Sequence, residues 1–145
     1  MITKENILAS AKNTILSESQ SIARIADYLD ENFFEATQKI YNSKGRLVVT
    51  GIGKSAIIAQ KMVASFNSTG TPSLFLHASE AIHGDLGMIQ SEDVIICISK
   101  SGNSPEIKVL VPLLKRFGNT LIAITGNMTS FLAQGSDIVL NTTVD

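Results

Sequence analysis

The N-terminal part of the chain carries apolar side chains at helical spacing. These side chains recur every three, four or seven positions, at Leu8, Ala11, Ile15, Ile22, Ile25 and Leu29. The spacing predicts one long amphipathic helix. Because four of the positions are seven residues apart, the apolar face has two candidate packing partners: the rest of the chain, or a second copy of the chain.

A different pattern follows a second predicted helix at residues 32–41. Apolar runs of strand length alternate with helical stripes, and the runs are residues 47–50, 73–77, 94–99, 121–125 and 138–141. Strands that alternate with helices form a parallel sheet with both faces covered. The sequence therefore predicts an α/β fold, a doubly wound five-stranded parallel sheet with two N-terminal helices.

The helix predicted between the third and fourth strands contains two prolines. Pro105 suits the first helical position, where a backbone N–H would have no partner inside the helix. Pro112 lies further along, where it removes one backbone hydrogen bond. We therefore expect a kink at Pro112.

The chain of 145 residues has the length of one domain, with a helical lead-in at residues 1–43 and an α/β core at residues 46–145. Its 12 basic and 13 acidic side chains give a net charge of −1, which provides no field to attract nucleic acid or an anionic membrane. The apolar runs are too short to span a membrane, and the N-terminus lacks a secretory pattern. The single cysteine, Cys97, lies in an apolar run and predicts a buried core residue in a reducing compartment. We expect a cytoplasmic protein with neither nucleic-acid nor membrane partners.

The first predicted strand is followed by the segment TGIGKSA, residues 50–56. Gly51 and Gly53 permit a tight turn that brings backbone N–H groups to the start of a helix. Lys54 adds a positive charge there and Ser55 adds a hydroxyl, so the turn favours phosphate binding. The alternative is a glycine turn that is needed only for close packing of strand and helix.

The same segment matches nucleotide-binding motifs poorly. A P-loop needs a glycine five positions before Gly53, and Val48 stands there, which excludes a nucleotide triphosphatase of that type. A dinucleotide site needs an acidic residue at the end of the second strand, and His77 stands there. We therefore rank a dinucleotide-binding oxidoreductase domain below the other functions that fit the sequence.

The third predicted strand is followed by the segment SKSGNSPE, residues 99–106. Hydroxyl and N–H donors are concentrated here just before a helix, at Ser99, Ser101, Asn103 and Ser104. Such a loop predicts a second phosphate cradle, whereas a simple helix cap would explain Ser104 alone. Two cradles on neighbouring strands suit one small phosphomonoester better than an extended pyrophosphate.

Both histidines of the chain follow the second predicted strand. His77 and His83 lie in LHASEAIHGDLG together with Glu80 and Asp85. Two histidines in one polar loop favour a functional role such as proton transfer, while their spacing fits no standard zinc motif. Glu106 is either a partner for its own helix dipole or an active-site carboxylate.

Four segments, TGIGKSA, FNSTGTPSLFLHASEAIHGDLGMI, ICISKSGNSPEI and ITGNMTS, resemble in order the SIS (sugar isomerase) domain of the arabinose-5-phosphate isomerase family. The resemblance implies a flavodoxin-like sheet and a cytoplasmic homo-oligomer, either a dimer or a tetramer. It also implies interconversion of D-arabinose 5-phosphate and D-ribulose 5-phosphate. In the family this reaction serves 3-deoxy-manno-octulosonate synthesis for lipopolysaccharide or capsule.

The resemblance implies roles for particular residues. Lys54, His83 and Glu106 are the catalytic candidates, with Lys54 steadying negative oxygen and His83 or Glu106 moving protons. His77 also matches a position associated with an inhibitory zinc ion, and no cofactor is required. The substrate-binding candidates are Gly53, Ser55, Gly70, Thr71, His77, His83, Ser99, Ser101, Asn103 and Ser104. Of these, Gly70 and Thr71 match residues that reach substrate in a neighbouring subunit.

The chain also departs from the family pattern. Family members often carry glutamate where Asn103 stands, and the family's next carboxylate, a further histidine and two CBS modules would all follow Asp145. We therefore expect the chief catalytic base to lie beyond this sequence. The alternative to an isomerase is a non-catalytic SIS module that senses a sugar phosphate.

Overall fold

A computed structural model describes residues 2–144, so the two end residues of the predicted 1–145 domain lie outside the described part. Its centre is a five-stranded sheet in which all neighbouring strands are parallel and the strand order is β2-β1-β3-β4-β5. The strands are β1 (Leu47–Gly51), β2 (Ser73–His77), β3 (Val94–Ile98), β4 (Leu121–Thr125) and β5 (Ile138–Asn141). This order confirms the predicted doubly wound sheet.

Helices cover both faces of the sheet. They are α1 (Lys4–Ile25), α2 (Glu31–Tyr41), α3 (Lys54–Ser68), α4 (Ala78–Ile82), α5 (Pro105–Phe117) and α6 (Phe131–Gly135), with one-turn 3₁₀ helices at Ala26–Tyr28 and Asp85–Met88. The α2 and α3 helices pack with one face of the sheet, and α4, α5 and α6 pack with the other. No helix among residues 2–144 combines the length and apolar character that crossing a membrane requires.

Two of the three inner strands, β1 and β3, are buried on both faces, as their mainly apolar sequences predict. Every residue of β1 and β3 is buried. Cys97 lies in β3, and burial raises the pKa of its thiol to about 12. The predicted role of Cys97 as a small core residue is therefore confirmed.

The N-terminal helix is shorter than the predicted one, and its side chains are not buried. It ends at Ile25 and gives way to the turn Ala26–Tyr28, because Leu29 is extended and Asp30 caps the start of α2 through a 2.9 Å bond from the Asn32 N–H. No side chain of α1 is buried. The apolar stripe of α1 therefore does not pack on the core formed by residues 2–144.

The α5 helix continues through Pro112 without a break. Pro112 is exposed, so the Lys108 carbonyl that lacks its usual donor lies on the solvent side. The opposite side of α5 is anchored in the core by Ile107, Leu110, Val111 and Leu114. This anchoring explains why the proline does not end the helix.

Paired polar groups brace the edge of the sheet where the strands begin, which we call the amino edge. Arg46 precedes β1 and Asp93 precedes β3, and they form an ion pair at 2.8 Å in which the Asp93 side chain is fully buried. Burial alone would raise the pKa of Asp93, but bonds from the Arg46 side chain and from the backbone N–H groups of Gln90 and Arg46 hold it below its usual value. Asn119 adds a bridge to the Asp93 carbonyl at 2.7 Å.

Candidate functional site

Three loops that carry predicted site residues leave adjacent strands at the opposite edge of the sheet, the carboxyl edge. His77 at the end of β2, Gly51 at the end of β1 and Ile98 at the end of β3 pair in one row across the sheet. Neighbouring strands lie about 4.8 Å apart, so the three loops begin within roughly 10 Å of one another. This is the place where open α/β sheets bind ligands.

The loop after β1 presents the start of α3. Gly53 has φ +58°, and a Cβ there would meet no other atom within 4 Å, so the turn is open to solvent. No side chain caps α3, which leaves N–H groups of its first turn available to an anion. Lys54 is exposed and Ser55 is half-buried at the same end. The β1 loop therefore has the geometry of the predicted cradle.

Two serines order the loop after β3 from within. The Ser99 Oγ accepts a 3.1 Å bond from the Gly102 N–H, and the Ser101 Oγ accepts a 3.4 Å bond from the Asn103 N–H. Ser99 is only 5% exposed, whereas Ser101 is exposed. The structure thus places Ser99 beneath the loop, as a brace, and Ser101 on its open side.

Ser104 stands at the N-cap position of α5 but does not cap the helix. Its hydroxyl makes no cap bond, and the Oγ atom is buried without a hydrogen-bond partner. An unpartnered buried hydroxyl is unfavourable, so its presence at this edge is a feature that a ligand oxygen would satisfy. Glu106, half-buried in the first turn of α5, follows two residues later in the chain. The simple capping interpretation of Ser104 is therefore wrong.

The loop after β4 supports the serine-rich loop, a role that sequence reasoning missed. The Asn103 Oδ1 accepts a 2.9 Å bond from the Phe131 N–H, and the Gly102 carbonyl accepts a 3.0 Å bond from the Leu132 N–H. Ser130 is buried and caps α6 through a bond from the Ala133 N–H. Asn103, a predicted substrate contact, is thus held by α6. The sequence does carry a signal for this contact. The serine that ends ITGNMTS, Ser130, precedes an apolar run, which is typical of the N-cap of a helix.

The histidine loop after β2 is more ordered than its polar sequence predicts. It folds into α4 and the 3₁₀ turn Asp85–Met88. The Nδ1 atom of half-buried His77 accepts a 3.3 Å bond from the Ser79 N–H, which assigns the neutral ring's proton to Nε2. His83 ends α4 and is exposed. The two rings therefore differ: His77 is fixed by the backbone, and His83 is open to solvent.

Comparison with known proteins decides the family. Residues 39–145 match the pattern of the SIS domain. The chain belongs to the SIS domain family. A probable arabinose 5-phosphate isomerase of Haemophilus influenzae is 46% identical to this SIS domain over 140 residues, which are 97% of the chain and 42% of the relative. The arabinose 5-phosphate isomerase KdsD of Escherichia coli K12 is 47% identical over 131 residues, which are 90% of the chain and 40% of the relative.

A solved structure also resembles this SIS domain closely. The protein c3406 of E. coli CFT073, in complex with arabinose 5-phosphate, superposes with a TM-score of 0.93 at 38% identity, covering 99% of this chain and 77% of that one. The predicted fold and the predicted resemblance are therefore both confirmed. The chain spans about two fifths of the length of the two curated relatives.

Two predicted binding residues lie at the other edge of the SIS domain. Gly70 and Thr71 connect α3 to the start of β2, and they line a cleft of about 390 Å³ with Leu47 and Val94, the first residues of β1 and β3. A parallel sheet separates this amino edge from the carboxyl edge by the full length of its strands. Gly70 and Thr71 therefore do not join the three loops within one chain. Their contact with the substrate of a neighbouring subunit stays a prediction.

The zinc predicted at His77 has little support from the residues around it. No three His, Cys, Asp or Glu side chains among residues 2–144 are grouped so as to hold a metal ion. A metal on Nε2 would also require the ring proton to move to Nδ1, where the Ser79 N–H already points. Zinc at His77 stays a prediction, and it requires that the ring release Ser79.

Proposed function

We propose that this SIS domain binds a pentose phosphate at its carboxyl edge and serves the interconversion of D-arabinose 5-phosphate and D-ribulose 5-phosphate. The observation that carries the proposal is the unpartnered Ser104 hydroxyl at the start of α5, in a chain with isomerase relatives 46% and 47% identical. We also propose a cytoplasmic homo-oligomer, a dimer or a tetramer. The product would supply 3-deoxy-manno-octulosonate synthesis for lipopolysaccharide or capsule.

The phosphate would act as the handle for the substrate. The uncapped N–H groups of α3, the Ser55 hydroxyl and the Ser104 hydroxyl are donors on neighbouring loops, and a phosphate accepts such bonds on several oxygens. Ser101 has a hydroxyl proton free to donate, because its Oγ only accepts inside the loop. Fixing the phosphate would hold the reacting carbons in place.

The reaction moves protons and needs no oxidant, so the proposal requires no cofactor. A base removes the proton from C2 of the open-chain aldose, and the carbonyl oxygen at C1 gains a proton to give an enediol. Returning a proton to C1 while the C2 hydroxyl loses one gives the ketose. In this proposal Lys54 would stabilise the negative oxygen, and His83 or Glu106 would move a proton. The principal base would come from the part of the domain that follows this sequence.

Ser104→Ala tests the phosphate site directly. We expect the variant to unfold at the same temperature as the parent or higher, since it removes a buried hydroxyl that has no partner. We expect its Kd for arabinose 5-phosphate to rise about tenfold or more, because a hydrogen bond to a charged group contributes roughly 1.5–3 kcal/mol. Thermal shift against ligand concentration gives both values.

Ser136→Ala is the matched control. The Ser136 Oγ donates to the Leu132 carbonyl at 2.7 Å, at the far end of α6, so this variant loses a hydroxyl without touching the site. Its Kd should stay at the parent value. An unchanged Kd for Ser104→Ala would contradict the phosphate site.

Turnover is tested with two chains. Conversion of ribulose 5-phosphate is measured for residues 1–145 and for a chain extended through the rest of the family domain. We expect the extended chain to be much faster, and equal activity would refute the proposed base beyond Asp145. Binding without turnover in both chains would favour a sensor module, and stabilisation by NAD alone would favour an oxidoreductase domain.

A further inference from the structure

The serine-rich loop after β3 is joined to the end of β4 by an extension of the sheet. The Ser99 N–H donates to the Ile124 carbonyl at 3.1 Å, and the Gly126 N–H donates to the Lys100 carbonyl at 3.0 Å. These two bonds continue the ladder between β3 and β4 beyond Ile98, the last residue of β3. The first residues of the loop therefore lie where β4 holds them.

Thr125, the last residue of β4, adds a second bond to the same carbonyl. Its side chain is fully buried, and its Oγ1 donates to the Lys100 carbonyl oxygen at 3.3 Å while it accepts from the Asn127 N–H at 3.2 Å. The Gly126 N–H already satisfies the Lys100 carbonyl, because one donor is enough for a buried carbonyl group. The Thr125 hydroxyl therefore fixes the direction of this peptide further.

The direction of the Lys100 carbonyl also determines where the next N–H points. In a trans peptide, the carbonyl of one residue and the N–H of the following residue point in opposite directions. Because the Lys100 carbonyl points toward β4, the Ser101 N–H points away from β4, to the side of β3 on which β1 lies. No group among residues 2–144 accepts a hydrogen bond from the Ser101 N–H.

We propose that Thr125 is a positioning residue of the phosphate site, whose hydroxyl holds the Lys100 carbonyl on β4 and so directs the Ser101 N–H toward the phosphate. The loop after β1, with the uncapped start of α3, lies on that side of β3. A donor that is fixed before binding loses less entropy when the phosphate arrives. The inference rests on the proposed binding of a pentose phosphate at the carboxyl edge, and it does not require turnover.

The first experiment follows the Ser101 N–H in the parent chain. Heteronuclear NMR of the backbone amides is recorded while arabinose 5-phosphate is added. We expect the Ser101 amide proton to move downfield, because a hydrogen bond to a charged phosphate is short and strong. The Gly102 amide proton should move less, since it already donates to the Ser99 Oγ at 3.1 Å. Binding that leaves the Ser101 amide proton in place would overturn the inference.

The second experiment separates the hydroxyl of Thr125 from its shape. Thr125→Val keeps the branched shape without the hydroxyl, and Thr125→Ser keeps the hydroxyl without the methyl group. We expect Thr125→Val to raise the Kd for arabinose 5-phosphate about three- to tenfold and to reduce the shift of the Ser101 amide proton, because part of a hydrogen bond to a charged group is lost. Thr125→Ser should keep the parent Kd and the parent shift.

Thr37→Val is the matched control. The Thr37 hydroxyl donates to the Phe33 carbonyl at 2.8 Å within α2, outside the three loops of the site. This variant therefore loses a threonine hydroxyl that is bonded to a backbone carbonyl, and its Kd should stay at the parent value.

A merely structural role of Thr125 predicts a different pattern. Thr125→Val would then unfold at a lower temperature while the folded variant kept the parent Kd, which would overturn the inference and leave the proposed function intact. A parent chain that binds no pentose phosphate would overturn the proposed function and the inference with it. If Thr125→Val does not fold, the titration of the parent chain decides between the two roles.

Discussion

At residue 102 the serine-rich loop leaves no room for a side chain. Gly102 has φ +63°, and a Cβ there would collide with the Ser130 side chain. Gly102→Ala should therefore lower the free energy of unfolding by about 3 kcal/mol, combining backbone strain with overpacking. Urea unfolding followed by circular dichroism measures the loss.

Gly118 provides the control for this substitution. It has φ +75° at the end of α5, and a Cβ there would meet nothing within 4 Å. Gly118→Ala should cost only the strain, about 1 kcal/mol. Equal losses for the two variants would mean that the contact between Gly102 and Ser130 does not matter.

Among single residues, the sequence identifies the candidate positions better than their roles. It predicts the donors of the serine-rich loop as one group, yet Ser99 is a buried brace, Asn103 holds α6 and, of these donors, only Ser104 has an unpartnered buried hydroxyl. A residue's place in a loop follows from the sequence. The direction of its side chain depends on the neighbouring β4 loop, which no local pattern reveals.

At the scale of elements, α5 tolerates a residue that helices normally exclude. Pro112→Ala should restore a donor for the Lys108 carbonyl, while the variant loses some of the entropy advantage of proline in the unfolded chain. Because Pro112 is exposed, the new side chain meets no packing constraint. We expect the free energy of unfolding to rise by about 1–2 kcal/mol, measured by urea unfolding. A decrease would mean that the proline is needed for the path of α5.

The strands and the longer helices could be predicted because their periodic patterns extend over several turns or residues. All five predicted strands match observed strands within a residue or two at each end. The α4 and α6 helices have five residues each, too few to show a period, so the sequence predicts a polar loop in place of α4 and gives no prediction for α6. The sequence also leaves open what the α1 stripe packs on, because a stripe indicates that a helix packs without showing against which surface.

At the scale of the whole molecule, acid sensitivity should originate at the amino edge. The pKa of Asp93 is lowered in the folded state, so its contribution to stability is present above the unfolded value near 3.9 and is lost as pH falls through the folded value. Asp93→Asn should cost about 2 kcal/mol at neutral pH, since the Asp93 carboxylate is buried and accepts from Arg46 and Gln90. Its stability should also vary less than that of the parent below about pH 4.

Asp137→Asn is the comparison for this measurement. The Lys115–Asp137 pair has side chains that are 44% and 41% exposed, so solvent screens it and its loss should cost less than about 1 kcal/mol. Urea unfolding at several pH values compares the two variants with the parent. A larger loss for Asp137→Asn than for Asp93→Asn would contradict the assignment of acid sensitivity to the buried pair.

The Arg46–Asp93 pair and the proposed phosphate site at Ser104 lie at opposite edges of one sheet, the amino edge and the carboxyl edge. A library of variants restricted to exposed positions at the carboxyl edge, such as Lys54 and Ser101, leaves the Arg46–Asp93 pair intact. Selection for binding of a different sugar could therefore introduce many substitutions at the carboxyl edge before a loss of folding stability has to be compensated.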